Sequence, residues 1–529
     1  MRIVFFVLCL LCSFNTRAQS TPPTVINNEG ISRVFAETII PERLRRHLMI
    51  LAGDGMEGRE TGTAGLKKAA EYIKGRLENY HIAPFGKKDS LGIPSYFQPF
   101  VFHKEAWGKR SIHINNTSLT TADYAADLAT NAHLPSLNVD EVLFLGYGID
   151  DASYSDYAGV ETKGKVIVIL EGEPRKNGEF FISPTKAASD WSHNDLRKYD
   201  TALKHGVKLV LVIKDTLSLF PVPGSGWKLG EGVHPEGKMA NNFQITHQTA
   251  QLLLGKKYKK LQRYQRKIAK KGKPKHFSVP VAMKVVMPVK RKILKGANLL
   301  AIVEGSDPKL KNEYIFISAH YDHLGKRGTD VYNGADDNGS GSSALIEIAH
   351  AFAQAKESGN GPKRSLVFMW MAGEEKGLLG SRYYVHAPLV PLKNTVADIN
   401  IDMIGRVDET HAGNPNYIYV IGADRLSTDL DKIVKSANSH TKLLLDYKYN
   451  AADDPNRFYY RSDHYNFAKN NIPSVFFFNG THEDYHRPTD TVDKINFDKM
   501  AKIGKLTFYT AWEIANRPDR LKVDVLGRN

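Results

Sequence analysis

The sequence predicts an α/β protein with a mostly parallel mixed sheet, covered by helices on both faces, and a second, β-rich domain inserted into the chain. Three observations support this prediction. From about residue 293 onward, short apolar runs alternate with helical segments, which is typical of a parallel sheet buried on both faces. Residues 36–84 have the apolar spacing of amphipathic helices. The stretch from about 112 to 290 instead carries short β-rich runs.

Length and composition set the scale of the protein. The chain has 529 residues, of which 42% are hydrophobic, 10% aromatic and 24% charged. This composition is that of an ordinary globular protein of two or three domains, and it excludes disordered and collagen-like chains.

The first 18 residues are predicted to be a secretory signal peptide. Residues 3–14 are almost entirely apolar, and cleavage is expected at about Ala18-Gln19. This apolar run is shorter than the roughly 20 residues that span a bilayer. Both cysteines lie within it, so the mature chain has no disulfides. We therefore expect an exported protein, periplasmic or extracellular and possibly surface-associated, with no transmembrane segment in the mature chain.

The elements follow one another along three segments: residues 36–111 and 293–516 form the main domain, and 112–290 form the insert. The first segment opens with helices from Pro41 and from Ala64 to Leu77. The insert has strands at 142–145, 165–170 and 207–213, and a helix from Asp195 to His205. The main-domain strands are predicted at Leu299–Val303, Tyr314–Ser318, Leu366–Met371, Ala397–Ile401, Tyr417–Ile421 and Ser474–Phe478, with a helix at Ser342–Ala355.

The net charge of +15 comes mainly from one place. Residues 256–275 contain eleven Lys or Arg and no acid, and without them and the signal peptide the net charge is about +2. This run is predicted to be a solvated helical face leading into a loop at Gly272-Lys273-Pro274. Nucleic-acid binding is not expected, whereas contact with an anionic surface stays open.

Metal-competent side chains follow several of the predicted strands. Ligands in parallel α/β sheets bind at the carboxyl ends of the strands. One strand is followed by His320, Asp322 and His323, the next by Glu374 and Glu375, and a third by Asp402; a glycine-rich loop carries Asp336 and Asp337, and a polar loop near the end carries His486 and Asp490. Each feature alone is usually a turn or a solvated pair, but five at strand ends of one α/β unit predict a metal site.

The residue types indicate which metal. Imidazoles and carboxylates without a thiol suit catalytic Zn²⁺, with Mn²⁺ or Co²⁺ as possible substitutes. Two histidines and three carboxylates suffice for two ions that share one aspartate, which is a co-catalytic arrangement for hydrolysis. Of the two adjacent glutamates, one is then free to act as a general base.

The order of these motifs resembles a known family. Ala-His-Tyr-Asp-His, Gly-Ala-Asp-Asp-Asn-Gly-Ser-Gly, Gly-Glu-Glu-Lys-Gly-Leu-Leu-Gly-Ser, Ile-Asp-Met and His-Arg-Pro-Thr-Asp-Thr are similar to the motifs of the co-catalytic zinc exopeptidases, which include bacterial leucine aminopeptidases, aminopeptidase Y and glutamate carboxypeptidase. The resemblance covers residues 36–84 and 293–516 and implies the zinc exopeptidase fold. The insert resembles a protease-associated domain only through its position in the chain and its short β-rich runs.

The resemblance implies a role for each site residue. It makes Asp336 the bridging carboxylate, His320 and Asp402 ligands of one zinc, and Glu375 and His486 ligands of the other. It makes Glu374 the general base. Asp322 and Asp490 are expected to orient His320 and His486, and Asp337 matches the second Asp of the pair, where the family has a strained peptide link. Glutaminyl cyclases share this fold but use one zinc, so the full ligand set favours the two-metal hydrolase.

Three functions remain open at this stage. The first is an exported aminopeptidase acting on peptide substrates, and its oligomeric state is not fixed by the sequence. The second is a carboxypeptidase of the glutamate carboxypeptidase type, for which Arg457, Arg461 and Arg487 are candidate partners of a terminal carboxylate. The third is a non-catalytic binding protein, against which the presence of Glu374 argues.

Overall fold

The computed structural model of the chain describes residues 28–126, 134, 136–183, 185–218, 226–230 and 240–525. The signal peptide predicted at residues 1–18 lies outside these ranges. Within them, no helix is long and apolar enough to cross a membrane.

The helices are distributed over all three predicted segments. Numbered in chain order, they are α1 Asn28–Ala36, α2 Pro41–Leu51, α3 Ala64–Asn79, α4 Asp195–Lys204, α5 His247–Leu254, α6 Tyr258–Lys271, α7 Gly341–Glu357, α8 Leu379–His386, α9 Thr428–Thr441, α10 His464–Ala468 and α11 Phe497–Asn516. Short 3-10 turns lie at Asp54–Arg59, Asp190–Ser192, Gly255–Lys257, Leu392–Asn394, Glu409–His411, Lys448–Asn450, Phe458–Tyr460 and Val492–Lys494, and a π turn at Ala335–Ser340.

The strands form two large sheets and three two-stranded ribbons. In chain order they are β1 Ala83–Pro84, β2 Phe97–Trp107, β3 Ser111–Ile114, β4 Thr117–Ser118, β5 Tyr124–Ala125, β6 Ser136–Leu145, β7 Asp150–Asp151, β8 Tyr154–Ser155, β9 Val166–Leu170, β10 Arg175–Lys176, β11 Glu179–Phe180, β12 Leu209–Lys214, β13 Lys228–Leu229, β14 Asn241–Thr246, β15 His276–Val286, β16 Val289–Val303, β17 Tyr314–His320, β18 Gly325–Arg327, β19 Asp330–Tyr332, β20 Ser365–Met371, β21 Thr395–Ile401, β22 Tyr417–Ile421, β23 Leu444–Asp446 and β24 Ser474–Phe478.

The larger sheet is mixed, with a parallel centre. Its order is β13-β2-β16-β20-β17-β21-β24-β22-β23, with β1 beside β16. The neighbours β20, β17, β21 and β24 are parallel, while β16 is antiparallel to β20 and β22 is antiparallel to β24 but parallel to β23. The predicted α/β class with a mostly parallel mixed sheet is confirmed at this centre. The carboxyl ends of the four parallel strands consequently lie at one edge.

Helices cover both faces of this sheet because its central strands are apolar on both sides. Alternate residues of a strand point to opposite faces. Ile315 and Ile317 of β17 therefore join a core that includes residues of α2, α3, α7 and α11, while Phe316 joins a second core with residues of α8 and α10. All seven residues of β20 and of β21 are buried, as doubly covered strands require.

The inserted stretch supplies a sheet of its own. This second sheet has the order β4-β3-β15-β6-β9-β12-β14-β5 and is parallel across β6, β9, β12 and β14. One short strand from this stretch departs from the pattern, because β13 pairs with β2 in the larger sheet. The chain enters and leaves the insert through β2 and β16, which pair with each other over eleven residues.

The N-terminal helices are fastened to the main domain by a buried carboxylate. Glu347 on α7 lies 2.8 Å from Nε of Arg43 and 2.7 Å from Nε2 of His47, both on α2. The hydroxyl of Tyr80 donates to the same Glu347 carboxylate at 3.1 Å. Burial raises the pKa of Glu347, but interactions with His350, His47 and Arg43 outweigh burial and lower it to about 2. The ion pair between Arg43 and Glu347 thus joins α2 to α7, the helix that follows the Asp336-Asp337 loop.

Candidate metal centre

The predicted site residues meet at the carboxyl edge of the parallel strands. His320 ends β17, Glu374 and Glu375 follow β20, and Asp402 follows β21. These three strands are neighbours in the sheet, so their ends are adjacent. His486 lies in the loop after β24 and also reaches this edge.

One group of ligand atoms surrounds Nε2 of His320. This atom lies 3.2 Å from Oδ1 of Asp402 and 3.3 Å from Oδ1 of Asp337. All three residues are buried, and their ligand atoms lie within 4.8 Å of one another. Such a set offers one nitrogen and two carboxylate oxygens to a single ion.

A second group of ligand atoms surrounds Oδ2 of Asp337. Nε2 of His486 is 3.1 Å from Oδ2 of Asp337 and 3.3 Å from Oε2 of Glu375. His323, which the sequence analysis noted without giving it a role, places Nδ1 2.9 Å from Oε1 of Glu375 and 3.8 Å from Oδ2 of Asp337. Asp337 thus faces both groups, one with each oxygen.

The assignment of the shared position to Asp336 is therefore wrong by one residue. Oδ1 of Asp336 accepts a hydrogen bond from the backbone N–H of Gly405 at 2.6 Å, and Oδ2 lies 3.2 Å from His482. Asp337 has extended dihedrals, φ −99° and ψ 98°, and neighbouring side chains of extended backbone point in opposite directions. Only one carboxylate of the pair can then face the histidines. The peptide bond between Asp337 and Asn338 is cis.

Two expected supporting residues have different outcomes. Asp322 lies beside His320, with its backbone carbonyl 3.1 Å and its Oδ1 3.8 Å from Nδ1 of His320, so the carbonyl makes the closer contact and the role expected for the carboxylate stays a prediction. Asp490 was expected to orient His486, but its carboxylate accepts the backbone N–H groups of Asp336 at 3.0 Å and of Asp337 at 3.1 Å. Asp490 therefore supports the loop that presents Asp337. His486 instead stacks on Tyr485, with ring centroids 3.9 Å apart.

The two adjacent glutamates differ in electrostatic environment. Burial raises the pKa of Glu375, but contacts with His323 and His486 outweigh burial and the charge of Asp337, and lower it. Burial raises the pKa of Glu374 well above its usual value, and the charges of Glu375 and Asp402 add to this despite His320. A pair of carboxyls whose pKa values are pushed apart is typical of a division between ligand and proton carrier.

The histidines and the shared aspartate shift one another's pKa in opposite directions. Burial lowers the pKa of His486, but the Asp337 and Glu375 carboxylates outweigh it and raise the pKa to about 10. Burial raises the pKa of Asp337, yet contacts with His320, His323 and His486 lower it well below its usual range. The site therefore favours ionised carboxylates opposite a positive charge.

Two residues of the N-terminal segment complete the site and were missed by the sequence analysis. Arg59 is 1% exposed and donates to backbone carbonyls of Leu51, Tyr321, Asn333 and Gly334. Its burial lowers its pKa to about 10, against the opposing charges of nearby carboxylates. Thr61 donates to Oδ2 of Asp322 at 2.6 Å. Neither residue type signals a metal site, and both lie some 260 positions from His320 in the sequence.

A buried chain of hydrogen bonds orients the Asp402 carboxylate. Ser462 donates to Oδ2 of Asp402 at 2.7 Å, and Asn400 donates to the Ser462 hydroxyl at 2.8 Å. This leaves Oδ1 of Asp402 facing His320. The neighbouring Asp463 is also buried and accepts from Ser381 at 2.5 Å.

A cleft with both polar and apolar walls opens beside the ligand groups. Its lining comprises Asp337, Glu374, Asp402, Met403, Phe458, Arg461, Ser462, Phe476, Phe478, Tyr485 and His486. The guanidinium of Arg461 lies 4.7 Å above the ring of Phe458, with Nη2 3.3 Å from the hydroxyl of Tyr485. The cleft thus combines carboxylates at its base, aromatic walls and one arginine.

Comparison with known proteins identifies a similar family and a similar relative. Residues 298–511 match the profile of "Peptidase family M28". A "Probable leucine aminopeptidase" of Trichophyton verrucosum (strain HKI 0517) is 31% identical over 226 residues, which cover 41% of this chain and 57% of that protein. The match thus spans about 57% of that relative's length.

Two solved structures are also similar to the chain. The first is "Aminopeptidase from Aneurinibacillus sp. strain AM-1", with 19% identity, a TM-score of 0.48 and coverage of 94% of this chain and 98% of that one. The second is BSAP, a zinc aminopeptidase from Bacillus subtilis, with 17% identity, a TM-score of 0.45 and coverage of 92% and 99%.

The matched region contains all the residues that surround Asp337 in the two ligand groups. His320, Glu375, Asp402 and His486 lie between positions 298 and 511, whereas Arg59 and Thr61 lie outside. Residues 298–511 of the chain are thus similar to peptidase family M28, which supports the resemblance to the co-catalytic zinc exopeptidases.

Proposed function

We propose that this protein is an exported two-zinc aminopeptidase that removes N-terminal residues from peptides. The observation that carries the proposal is the position of Asp337, whose two oxygens face two separate groups of histidine and carboxylate ligands. The proposed export rests on the predicted signal peptide, residues 1–18.

The residues present fit two zinc ions. His320, Asp402 and Oδ1 of Asp337 would hold one, and Oδ2 of Asp337, Glu375 and His486 would hold the other, with His323 beside it. Nδ1 of His323 lies 2.9 Å from Oε1 of Glu375, and Nε2 of His323 is buried without a hydrogen-bond partner in the described structure, which fits a cation close to it. Bound zinc would polarise the scissile carbonyl and make a water more acidic.

Glu374 supplies the proton transfers in this proposal. Its carboxylate lines the cleft beside Asp337 and Asp402 without joining either ligand group. It accepts a proton from the attacking water and donates that proton to the leaving amine nitrogen, so the carboxylate is regenerated in each turnover. The raised pKa of Glu374 suits a group that must hold the proton between these two steps.

The cleft lining supports an apolar residue at the cleaved end. Met403, Phe458 and Phe478 offer apolar surface next to the carboxylates, which attract the positive terminal amine of a peptide. The name of the matched relative, a leucine aminopeptidase, also supports cleavage at the N-terminal end of the peptide.

Arg461 favours a second candidate function, a zinc carboxypeptidase. It is the one arginine among the residues lining the cleft, and a guanidinium is a suitable partner for a terminal carboxylate. The other two arginines considered from the sequence are placed differently: Arg457 lies over the ring of Tyr460, and Arg487 does not line the cleft.

A substrate panel tests the proposed function. We expect the mature protein to hydrolyse leucyl-p-nitroanilide, to lose this activity with a chelator and to regain it with added zinc. Because the anilide has no carboxylate, Arg461→Gln should retain this activity. Turnover of N-blocked dipeptides alone, abolished by Arg461→Gln, would contradict the aminopeptidase and establish the carboxypeptidase. Release of product that a chelator does not affect would contradict both.

Glu374→Gln tests the proton carrier. The substitution keeps the size of the side chain but removes its ability to take a proton, so we expect kcat to fall by about 10²–10⁴-fold. Zinc content, measured by inductively coupled plasma mass spectrometry, should stay at the wild-type level because Glu374 is in neither ligand group. Unchanged kcat in the zinc-loaded variant would remove Glu374 from the mechanism.

A matched pair of substitutions tests the shared position. Asp337→Asn should lower the zinc affinity of both groups, by at least about tenfold, because one oxygen of the carboxylate faces each group. Asp336→Asn is the control, since its amide oxygen can still accept from Gly405 and the side chain contacts His482, which belongs to neither ligand group. Zinc titration of the apo variants gives the two affinities. Weak binding in Asp336→Asn with normal binding in Asp337→Asn would restore the original assignment.

A further inference from the structure

A dense run of positive charge lies in the insert, outside the metal centre. We call it the basic segment, residues 256–275, which contains nine lysines, two arginines and no acid. Its core is the helix Tyr258–Lys271. Nine of its eleven cations are exposed, and none has a carboxylate within 4.0 Å among the residues that the structure describes.

The helix is fixed to the insert by its other side. Leu261 and Ile268 are buried in the core of the insert, at 1% and 0% exposure, and Tyr258 and Tyr264 pack against the same core. The ring of Tyr264 meets the ring of Phe277 edge-on at 5.6 Å. The helix therefore has no free apolar face, and its charged side is held in a defined orientation towards solvent.

Five of the eleven cations form one continuous stripe. Positions 259, 263, 266, 267 and 270 follow helical spacing, so they share a face about 16 Å long, opposite Leu261 and Ile268. A neighbouring ribbon extends this face, because the backbone N–H of Asn177 donates to the carbonyl of Ala269 at 3.0 Å and the exposed Arg175 and Lys176 precede it.

We propose that this stripe docks the protein on an anionic lipid surface. A rigid array of lysine and arginine charges suits the diffuse negative potential of a membrane. No large apolar side chain of the basic segment is among the exposed ones in the described structure, so the contact is electrostatic and does not insert into the bilayer.

The composition of the basic segment disfavours nucleic acid as the partner. In this segment lysines outnumber arginines nine to two, whereas bidentate arginine contacts are favoured at phosphates. The two tyrosines of the helix pack inward, so they are not available for stacking on bases. Without the basic segment, the net charge of the mature chain is close to neutral, so this segment carries most of the net positive charge.

Vesicle sedimentation with the mature protein tests the proposal. At low salt, we expect binding to vesicles of phosphatidylcholine mixed with phosphatidylglycerol, no binding to phosphatidylcholine alone, and release at about 0.5 M salt because the contact is screened. Replacing Lys259, Arg263, Arg266, Lys267 and Lys270 by Gln should weaken the binding at least about tenfold.

The control removes the same charge elsewhere. Gln at the exposed positions Lys309, Lys363, Lys393, Lys432 and Lys469 should leave vesicle binding within about twofold, since membrane attraction falls off within a Debye length. Thermal unfolding of both variants checks the fold independently of peptidase activity. Equal loss in both variants, binding to phosphatidylcholine alone, or tighter binding to a single-stranded oligonucleotide than to the anionic vesicles would overturn the proposal.

Discussion

The crowding of buried carboxylates around Asp337 is the constraint on which the rest of the structure depends. Asp322, Asp402, Glu374 and Glu375 lie close to it at one edge of the sheet, where little water can solvate them. Buried charges of one sign are costly unless cations balance them. The described protein places the buried Arg59 against this negative charge, and metal ions bound by the histidines and carboxylates would supply the remainder. The carboxyl edge of four parallel strands makes the crowding possible, because it brings residues from distant parts of the chain to adjacent positions.

Orientation of this cluster depends on residues that do not belong to either ligand group. Asp490 holds the loop that presents Asp337, and Ser462 fixes the oxygen of Asp402 that points away from His320. The segment before the insert contributes Arg59 and Thr61. Glu347 on α7, the helix that follows the Asp336-Asp337 loop, binds Arg43 and so fixes α2 of that segment. The site is therefore a product of the segments on both sides of the insert, although the family match begins only at residue 298.

Sequence reasoning found what periodicity and strand ends determine. Buried runs such as Leu366–Met371 predicted strands, and the polar residues after them do come together. Sequence reasoning failed where the composition of the site depends on the orientation of one residue or on a contact between distant parts of the chain. The spacing of Asp336 and Asp337 does not tell which one faces the histidines, because this depends on the local backbone of the loop. Arg59 could not be placed, because a contact across some 260 residues leaves no periodic signal. The site roles, the boundaries of the insert and its protease-associated character stay predictions.

The most direct measurement is the anomalous diffraction of zinc-loaded crystals at the zinc absorption edge. The account predicts two peaks about 3.5–4 Å apart, one on each side of the Asp337 carboxylate. The first should lie between His320 and Asp402, and the second between Glu375 and His486. A single peak, or two peaks on either side of Asp336, would contradict the account.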